Sequence, residues 1–500
     1  MSFKRHVLAS YVSQIYTTLI GIVIVPVYIK YMGAEAYGLI GFYAMLQAWF
    51  QLLDMGLAPT ISRETARFNG GAIDEVTLRR LLRALECIFY GVALLGAVAL
   101  ILASDVIARN WLKVEHLPLS QVRGSVELMA GIIGLRWIAG LYRGAIGGFE
   151  QQVWLGKLNV VMATARFVAV IAIFELIGTA PVHFFSYQFF IGIVETIVLV
   201  TKAYRLMPEL PKKEKVLFSL VPLMGVMKFS LSVAFTSSVW VLVTQTDKLV
   251  LSKILPLSVY AYFTLAVLVA GGVNIMSGPI SGALMPRLSR LYAEGNAKGA
   301  VDLYRGASQF VAVISFSLAL MLACFAEPLL NAWTGSSVTS TQAAPILRLY
   351  ALGNGFLALG AFPYYLQFAK GDLRLHLIGN VVFLFLLIPA IVGATLLYGA
   401  IGAGWAWLFA NVVYFFVWVP IVHSRLAPGL HLNWLLHDIA PVIVATTLTA
   451  LVALKFLILP SSRLAVVGVL FFIGLIVSLS GGAASERMRG FAVKKILMRS

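Results

Sequence analysis

The sequence is poor in charged residues and contains almost no cysteine. Only 12% of its 500 residues are charged, 60% are hydrophobic and the mean hydropathy is +0.91, whereas soluble domains carry about 25% charged residues. This composition excludes an ordinary soluble protein and predicts an all-α polytopic membrane protein. The two cysteines, Cys87 and Cys324, lie in apolar stretches without metal-ligand spacing. We therefore expect both to be small buried side chains, and we expect no metal site.

Acidic residues are scarce relative to basic ones. The 38 lysines and arginines outnumber the 21 aspartates and glutamates, and the formal net charge is +17. A basic excess can indicate nucleic-acid binding, but no basic stripe interleaved with aromatic residues is present. The nucleotide-binding pattern G-x-x-x-x-G-K-[ST] is also absent, and the predicted loops are too short for a soluble catalytic domain. We expect no nucleic-acid partner, no enzymatic activity, no catalytic residues and no cofactor.

Long apolar stretches follow one another along the whole chain. Each is long enough to cross about 30 Å of hydrocarbon at about 1.5 Å per residue. We predict fourteen transmembrane helices, at residues 8–29, 37–58, 85–103, 124–142, 157–178, 182–201, 219–246, 257–284, 306–330, 345–368, 375–397, 400–420, 438–458 and 463–481. A short loop carrying Lys30, Gly33 and Glu35 would separate the first two.

The basic residues fix the predicted orientation. Most of them fall in loops on the side of the N-terminus, which places both termini in the cytoplasm. This distribution explains the positive net charge through contact with anionic lipids of the inner leaflet.

Two regions of the chain repeat the same order of features. Tyr37 and Tyr260 each begin a long apolar stretch, which ends in Gly and Pro residues and then in a basic exit at Arg67 or Arg290. Duplication of one half of a membrane protein would produce such a repeat; the alternative is a coincidence of the kind that any polytopic chain offers. We predict an N-terminal six-helix bundle (1–207), a cytoplasmic linker (208–218), a C-terminal six-helix bundle (219–425), two additional helices (426–483) and a basic cytoplasmic tail (484–500).

Several charged residues fall inside the predicted spans. A charge at the centre of a lone membrane helix costs about 2.5–3.5 kcal/mol, so it needs a partner or a wet cavity. Arg136, Arg166 and Lys228 lie at similar depth in the inner half of the membrane, and we predict that they line a cationic cavity. Two alternatives stay open: Arg136 forms a structural ion pair with Glu195, or the long Lys228 side chain extends to the inner surface.

Other charges have less specific interpretations. Asp54 and Glu175 are candidate ion-coupling carboxylates, and Asp247 forms a candidate interfacial pair with Lys248. Small residues at four-residue spacing indicate close helix contact; these are Gly140, Gly144 and Gly148.

Four stretches carry a family resemblance: YMGAEAYGLIGFYAMLQAWFQLLDMGLAPTISRETAR (31–67), LYRGAIGGFEQQVWLGKLNVVMATARF (141–167), TDKLVLSKILPLSVYAYFTLA (246–266) and GALMPRLSRLYAEGN (282–296). Together they resemble the polysaccharide-transporter branch of the multidrug/oligosaccharidyl-lipid/polysaccharide (MOP) exporter superfamily. The resemblance implies two pseudo-symmetric six-helix bundles around a central cavity that opens alternately inward and outward, plus two C-terminal helices.

The resemblance also implies a cargo and a location. The cargo would be an oligosaccharide on a polyprenyl pyrophosphate, such as an O-antigen or exopolysaccharide repeat unit. It would move from the inner to the outer leaflet of the bacterial cytoplasmic membrane, alongside other membrane proteins of polysaccharide assembly.

Three other functions compete with a flippase. A drug or cation antiporter of the same superfamily would need a cavity dominated by carboxylates. A membrane polysaccharide polymerase or glycosyltransferase would need catalytic side chains on a large outer loop, and the predicted outer loops are short. A membrane scaffold would not need charges at mid-depth.

Overall fold

The computed structural model describes residues 3–54, 56–208 and 221–489, and in these ranges the chain forms helices without a β-sheet. The chain divides into two compact units, Met1–Ala261 and Tyr262–Ser500. The predicted linker, residues 208–218, falls almost entirely outside the described residues. The predicted boundaries of the two bundles stay a prediction.

The first unit is built from nine helices in its described part, and a tenth begins there. They are α1 (Phe3–Val23), α2 (Val25–Phe50), α3 (Leu57–Asn69), α4 (Glu75–Val106), α5 (Leu119–Gly148), α6 (Gln152–Phe167), α7 (Val170–Leu176), α8 (Pro181–Leu206), α9 (Val221–Ile254) and α10 (Leu257–Ala270). A 3-10 turn (Gln51–Asp54) follows α2, and a π-helical turn (Ile107–Trp111) follows α4.

The second unit continues the helical pattern. Its helices are α11 (Gly272–Ala293), α12 (Ala297–Cys324), α13 (Ala326–Thr334), α14 (Ser337–Gly360), α15 (Phe362–Lys370), α16 (Arg374–Val413), α17 (Val419–Leu426), α18 (Leu430–Asn433), α19 (Ala440–Phe456) and α20 (Arg463–Ala484). Two π-helical segments, Tyr414–Trp418 and Trp434–Ile439, lie between them.

The number of spans differs from the prediction. Within the described ranges, ten helices are long and apolar enough to cross a membrane, or eleven if the bent pair Val12–Val23 and Val25–Asp54 is one span. The all-α polytopic class is confirmed, but the count of fourteen is not. One candidate span, Arg374–Leu426, contains two predicted spans, and the non-helical backbone of Gly399 (φ 61°) interrupts it between them.

The predicted loop after the first span is wrong. Helical backbone lies on both sides of Gly33, and only Gly33 itself breaks α2, with φ 83° and ψ 166°. A residue with a side chain would be strained in this conformation, which glycine adopts readily. The next predicted span, 37–58, ends too late, because α2 stops at Phe50 and the chain turns into the separate helix α3.

Glu35 is buried instead of lying in an exposed loop. Its side chain is 8% exposed, and its carboxylate accepts hydrogen bonds from three successive backbone N–H groups. These belong to Glu115 (2.6 Å), His116 (3.0 Å) and Leu117 (3.1 Å). A carboxylate shared by successive N–H groups satisfies donors that would otherwise lack partners. Glu35 thus attaches the segment before α5 to α2.

A hydrophobic core cluster of the first unit lies among α3, α4, α5, α6 and α8. Close contact between α3 and α5 depends on glycine, as the small-residue spacing predicted. A Cβ added at Gly148 would lie 2.2 Å from the carbonyl oxygen of Ser62, and one at Gly144 would lie 2.5 Å from that of Ala58. At Gly140 nothing lies within 4 Å, so this glycine is not needed for the contact.

The predicted burial of the cysteines is wrong. Cys87 is exposed and Cys324 is half-buried, and both are free thiols. Cys87 shares an exposed face of α4 with Leu94 and Leu102, because residues about seven positions apart lie on the same side of a helix. An exposed apolar stripe on a membrane span is the surface that contacts lipid.

A buried ion pair organises the second unit. Arg305 on α12 donates to Asp438 through Nε (2.5 Å) and Nη2 (3.0 Å), and Asp438 is 1% exposed. Gln309 also donates to Asp438, and its amide oxygen accepts from the Ser485 hydroxyl at 2.5 Å. These bonds connect α12 with the segments next to α19 and α20.

Candidate functional site

A cavity of about 630 Å³ lies within the first unit, among α1, α2, α5, α6 and α8. Its lining combines arginine, amide and hydroxyl side chains with small and apolar ones. The lining residues are Ser13, Gln14, Thr17, Thr18, Gln47, Arg136, Ala139, Arg143, Gln152, Leu155, Gly156, Asn159, Met162, Ala163, Arg166, Phe167 and Glu195.

The polar residues of α6 reach the cavity through their spacing. Gln152, Asn159 and Arg166 are seven residues apart, which is about two helical turns, so they share one face of α6. Arg136 and Arg143 on α5 are separated in the same way. Helical periodicity therefore brings three arginines from two helices to one cavity.

Glu195 on α8 binds two of these arginines at once. Arg166 donates from Nη2 to one carboxylate oxygen, and Arg143 donates from Nη2 to the other. Arg143 also donates from Nη1 to Asn159 Oδ1 at 2.5 Å. Arg166 and Glu195 are 4% and 7% exposed, whereas the Arg143 side chain is 30% exposed. Of the two ion pairs that Glu195 forms, the one with Arg166 is buried and the one with Arg143 is partly exposed.

Arg136 contacts other partners than the sequence predicted. The alternative that it forms an ion pair with Glu195 is wrong, because Arg136 donates from Nη1 to Gln47 Oε1 at 2.8 Å. Its guanidinium Cζ lies 5.9 Å from the centre of the Tyr43 ring, within reach of a cation–π contact. The sequence places Arg136 and Glu195 at similar depths in the membrane. The packing of α5, α6 and α8, however, directs the Glu195 carboxylate towards Arg143 and Arg166.

Two buried nitrogens of these arginines have no hydrogen-bond partner in the part of the chain that the structure describes. They are Arg166 Nη1 and Arg136 Nε. A guanidinium group has five N–H donors in a planar arrangement, and a buried donor without a partner is unfavourable by about 1–3 kcal/mol. Neither nitrogen is exposed to the cavity, so an entering acceptor reaches them only if the arginine side chains move.

A break between α6 and α7 sets the position of Arg166. The carbonyl groups at the end of α6 cannot continue the helical pattern, and side chains of other helices satisfy them. The hydroxyl of Tyr187 donates to the Ala165 carbonyl (2.8 Å), the Gln188 amide to the Arg166 carbonyl (2.9 Å), and the Tyr28 hydroxyl to the Phe167 carbonyl (2.9 Å). Three bonds from two helices thus hold the backbone that presents the Arg166 side chain.

The charges of the lining favour an anion. Three guanidinium groups face the cavity with a single carboxylate among the described lining residues, so its charge is positive even with Glu195 ionised. Charges act more strongly in a cavity walled by protein than in water, since the effective dielectric constant is lower. Arginine also offers a planar pair of donors that matches phosphate oxygens.

The structure separates the other predicted site residues from this cavity. Asp54 accepts from the backbone N–H of Ala58 at 3.2 Å, next to the start of α3. The exposed Glu175 accepts from the Tyr31 hydroxyl. Asp247 is 2% exposed, with Lys248 Nζ 3.7 Å from its carboxylate. None of the three lines the cavity as described, and their role in ion coupling stays a prediction. The side chain of Lys228 lies outside the described residues.

Sequence reasoning missed several lining residues. Arg143 falls just beyond the predicted span 124–142, although it lies near the end of α5 and faces the cavity. Gln47 and Asn159 were not considered, because an uncharged amide in a membrane span carries little hydropathy signal. On α1, the polar residues Ser13, Gln14, Thr17 and Thr18 recur at helical spacing in an otherwise apolar segment. That spacing was the signal that could have identified them.

The described residues contain no group of three or more His, Cys, Asp or Glu side chains that could hold a metal ion. The side chains that line the cavity offer positive charge and hydrogen bonding.

The sequence matches the model of a family described as "Polysaccharide biosynthesis protein" over residues 3–292, more than half of the chain. The chain belongs to this polysaccharide biosynthesis family. Among curated protein sequences, no match is found.

Solved structures of MOP superfamily transporters share the fold of this family member. The inward closed conformation of the lipid II flippase MurJ aligns with a TM-score of 0.67 at 13% identity, over 96% of this chain and 98% of MurJ. An inward-facing multidrug resistance MATE family transporter gives a TM-score of 0.67 at 14% identity, over 83% and 96% of the two chains. A MOP superfamily transporter from Pyrococcus furiosus gives 0.54 at 14% identity, over 83% and 94%. The resemblance inferred from the sequence is confirmed by this family and by this fold, and the long apolar helices of its described residues make the chain a multi-pass membrane protein.

Proposed function

We propose that this protein is a flippase for a lipid-linked oligosaccharide. Its cargo would be a polyprenyl-pyrophosphate-linked oligosaccharide, an O-antigen or exopolysaccharide repeat unit. Alternating access would move the cargo from the inner to the outer leaflet of the bacterial cytoplasmic membrane. The observation that carries the proposal is the arginine-lined cavity of the first unit, in which Arg136 and Arg166 keep buried donors without partners.

The chemistry of this cargo fits the lining. A diphosphate that joins a lipid to a sugar carries a negative charge on each phosphate, and arginine donates paired hydrogen bonds to such groups. The cavity volume of about 630 Å³ falls in the range of about 300–1,000 Å³ that is usual for ligand sites. The hydroxyl and amide groups along α1 and α6 suit the hydroxyl groups of a sugar next to the diphosphate.

The membrane potential would favour export of this cargo. With both termini in the cytoplasm and the cytoplasm negative, outward movement of an anion releases about 2.3 kcal/mol per charge per 100 mV. The empty cavity carries positive charge, so its return towards the cytoplasm is favoured as well.

The same charges argue against the competing transporter. A drug or cation antiporter needs a free carboxylate to attract a cationic cargo. In this cavity the carboxylate of Glu195 is already bound by Arg143 and Arg166.

Replacement of Arg166 tests the proposal. In a strain that lacks its own copy of the gene, we expect the Arg166→Ala protein, expressed so that its amount in the membrane equals that of the wild type, to leave the cell without surface polysaccharide, with lipid-linked oligosaccharide retained on the cytoplasmic side. The matched control is Arg123→Ala, which removes an exposed arginine paired with Glu127 at 2.8 Å outside the cavity. The control should restore surface polysaccharide. Normal surface polysaccharide with Arg166→Ala would reject the site.

A further inference from the structure

Glu195 occupies the position that an incoming phosphate needs. Its two carboxylate oxygens each accept from a different guanidinium, one on α5 and one on α6. A phosphate that binds the same two arginines would use the same donors with the same geometry, because carboxylate and phosphate oxygens both match the guanidinium plane.

The arginines have more donors than Glu195 can satisfy. Arg166 binds Glu195 through Nη2, but its Nη1 has no partner among the described residues, although the side chain is 95% buried. Arg136 Nε, in the same cavity, has none either. Every guanidinium has five N–H donors, so these two nitrogens can still donate to a second acceptor once the side chains move towards it.

The two arginines that bind Glu195 differ in solvent exposure. The Arg143 side chain is 30% exposed, whereas that of Arg166 is 5% exposed. Arg143 also donates from its other terminal nitrogen, Nη1, to Asn159 at 2.5 Å, a bond that remains when Glu195 leaves Nη2. An anion that enters the cavity can therefore displace Glu195 from Arg143 first and reach the spare donor of Arg166 afterwards.

We propose that Glu195 is an exchangeable internal counterion, which binds Arg143 and Arg166 in the empty protein and is displaced by the diphosphate of the cargo. This inference rests on the proposed function and adds how binding and release of the cargo are regulated. Competition from Glu195 lowers the affinity for the diphosphate, and return of Glu195 to the arginines expels the cargo after translocation. A cavity of bare arginines would hold the anion too tightly to release it.

The proposal predicts the effect of removing the carboxylate charge. The Glu195→Gln replacement keeps the size of the side chain but removes the negative charge that competes with the diphosphate. With the purified full-length protein in lipid nanodiscs and inorganic pyrophosphate as the probe, we expect Glu195→Gln to lower the Kd at least about tenfold at constant ionic strength. The same variant should export less surface polysaccharide, because release becomes slow. The matched control is Glu127→Gln, which removes a carboxylate paired with Arg123 outside the cavity and should leave the Kd unchanged.

Each outcome separates this inference from the proposed function. An unchanged or higher Kd for Glu195→Gln, with pyrophosphate binding that Arg166→Gln abolishes, would overturn the counterion role and leave the anion site intact. Either of two results would overturn the anion site itself. In the first, the wild type and Arg166→Gln bind pyrophosphate equally well. In the second, neither the wild type nor Glu195→Gln binds pyrophosphate. If Glu195→Gln does not fold, Glu195→Asp decides. Its shorter carboxylate cannot bridge both arginines, so it should lower the Kd; an equal or higher value would reject the inference.

Discussion

A double replacement can separate the structural role of Arg166 from its role in transport. Arg166 and Glu195 form a buried ion pair, with 4% and 7% of their surfaces exposed. Loss of one partner of such a pair leaves a buried charge and costs about 3–5 kcal/mol. Since Glu195 keeps Arg143 as a partner, we expect Arg166→Gln to lower the free energy of unfolding by about 3 kcal/mol, the lower end of this range.

The second replacement removes the stranded charge. In Arg166→Gln/Glu195→Gln both buried ions are gone, and two neutral amides can bond to each other. Arg143 loses its carboxylate partner but keeps its bond to Asn159 and a side chain that is 30% exposed to solvent. We expect this double variant to recover most of the lost stability, measured by thermal unfolding in detergent, and still to export no surface polysaccharide. Recovery of both stability and export would refute the reasoning, because Arg166 would then act only as the counterion of Glu195. If Arg166→Gln were as stable as the wild-type protein, this would contradict the stabilising role of the buried ion pair.

A buried ion pair in the second unit provides the control. Arg305 and Asp438 are joined by bonds of 2.5 and 3.0 Å, outside the cavity. We expect Arg305→Gln to destabilise the protein and Arg305→Gln/Asp438→Asn to recover both stability and export. A double variant at this pair that recovers stability but not export would show that the assay does not report on the cavity.

Three further predictions concern packing and access. Gly148→Ala should lower stability by about 1–3 kcal/mol through steric overlap with Ser62, whereas Gly140→Ala should not, and thermal unfolding of the two variants compares them directly. Glu35→Gln should lower stability by about 1–3 kcal/mol, because an amide cannot accept from three N–H groups as a carboxylate does. It should also speed proteolysis of segment 112–118, and an unchanged cleavage rate would contradict the anchoring role. In a protein without its two native cysteines, a cysteine at position 136 should react with a water-soluble thiol reagent; failure to label in any state would indicate a dry site.

The sequence predicted the class of the protein and the general position of its site. Hydropathy depends on each residue's own preference for lipid or water, so the low charge content was enough to indicate a polytopic helical protein. Arg166 was identified in the same way, since an arginine deep in a span requires a polar environment. The close contact at Gly144 and Gly148 followed from spacing along a single helix.

Features that depend on how helices rotate and pair were not predictable. Depth in the membrane placed Arg136 level with Glu195, but depth is one coordinate, and the direction in which each side chain points is set by the packing of α5, α6 and α8. The same limit hid Arg143 and Gln47, and it made Cys87 appear buried when it faces outward.

The sequence by itself therefore determined that this chain lies in a membrane as helices and carries arginines that need a polar surrounding. Only the tertiary structure decided which acid neutralises them and which of their donors stay open. The reason is physical: the free energy of transfer into lipid belongs to one residue, whereas a hydrogen bond belongs to two residues that the fold must bring within about 3 Å.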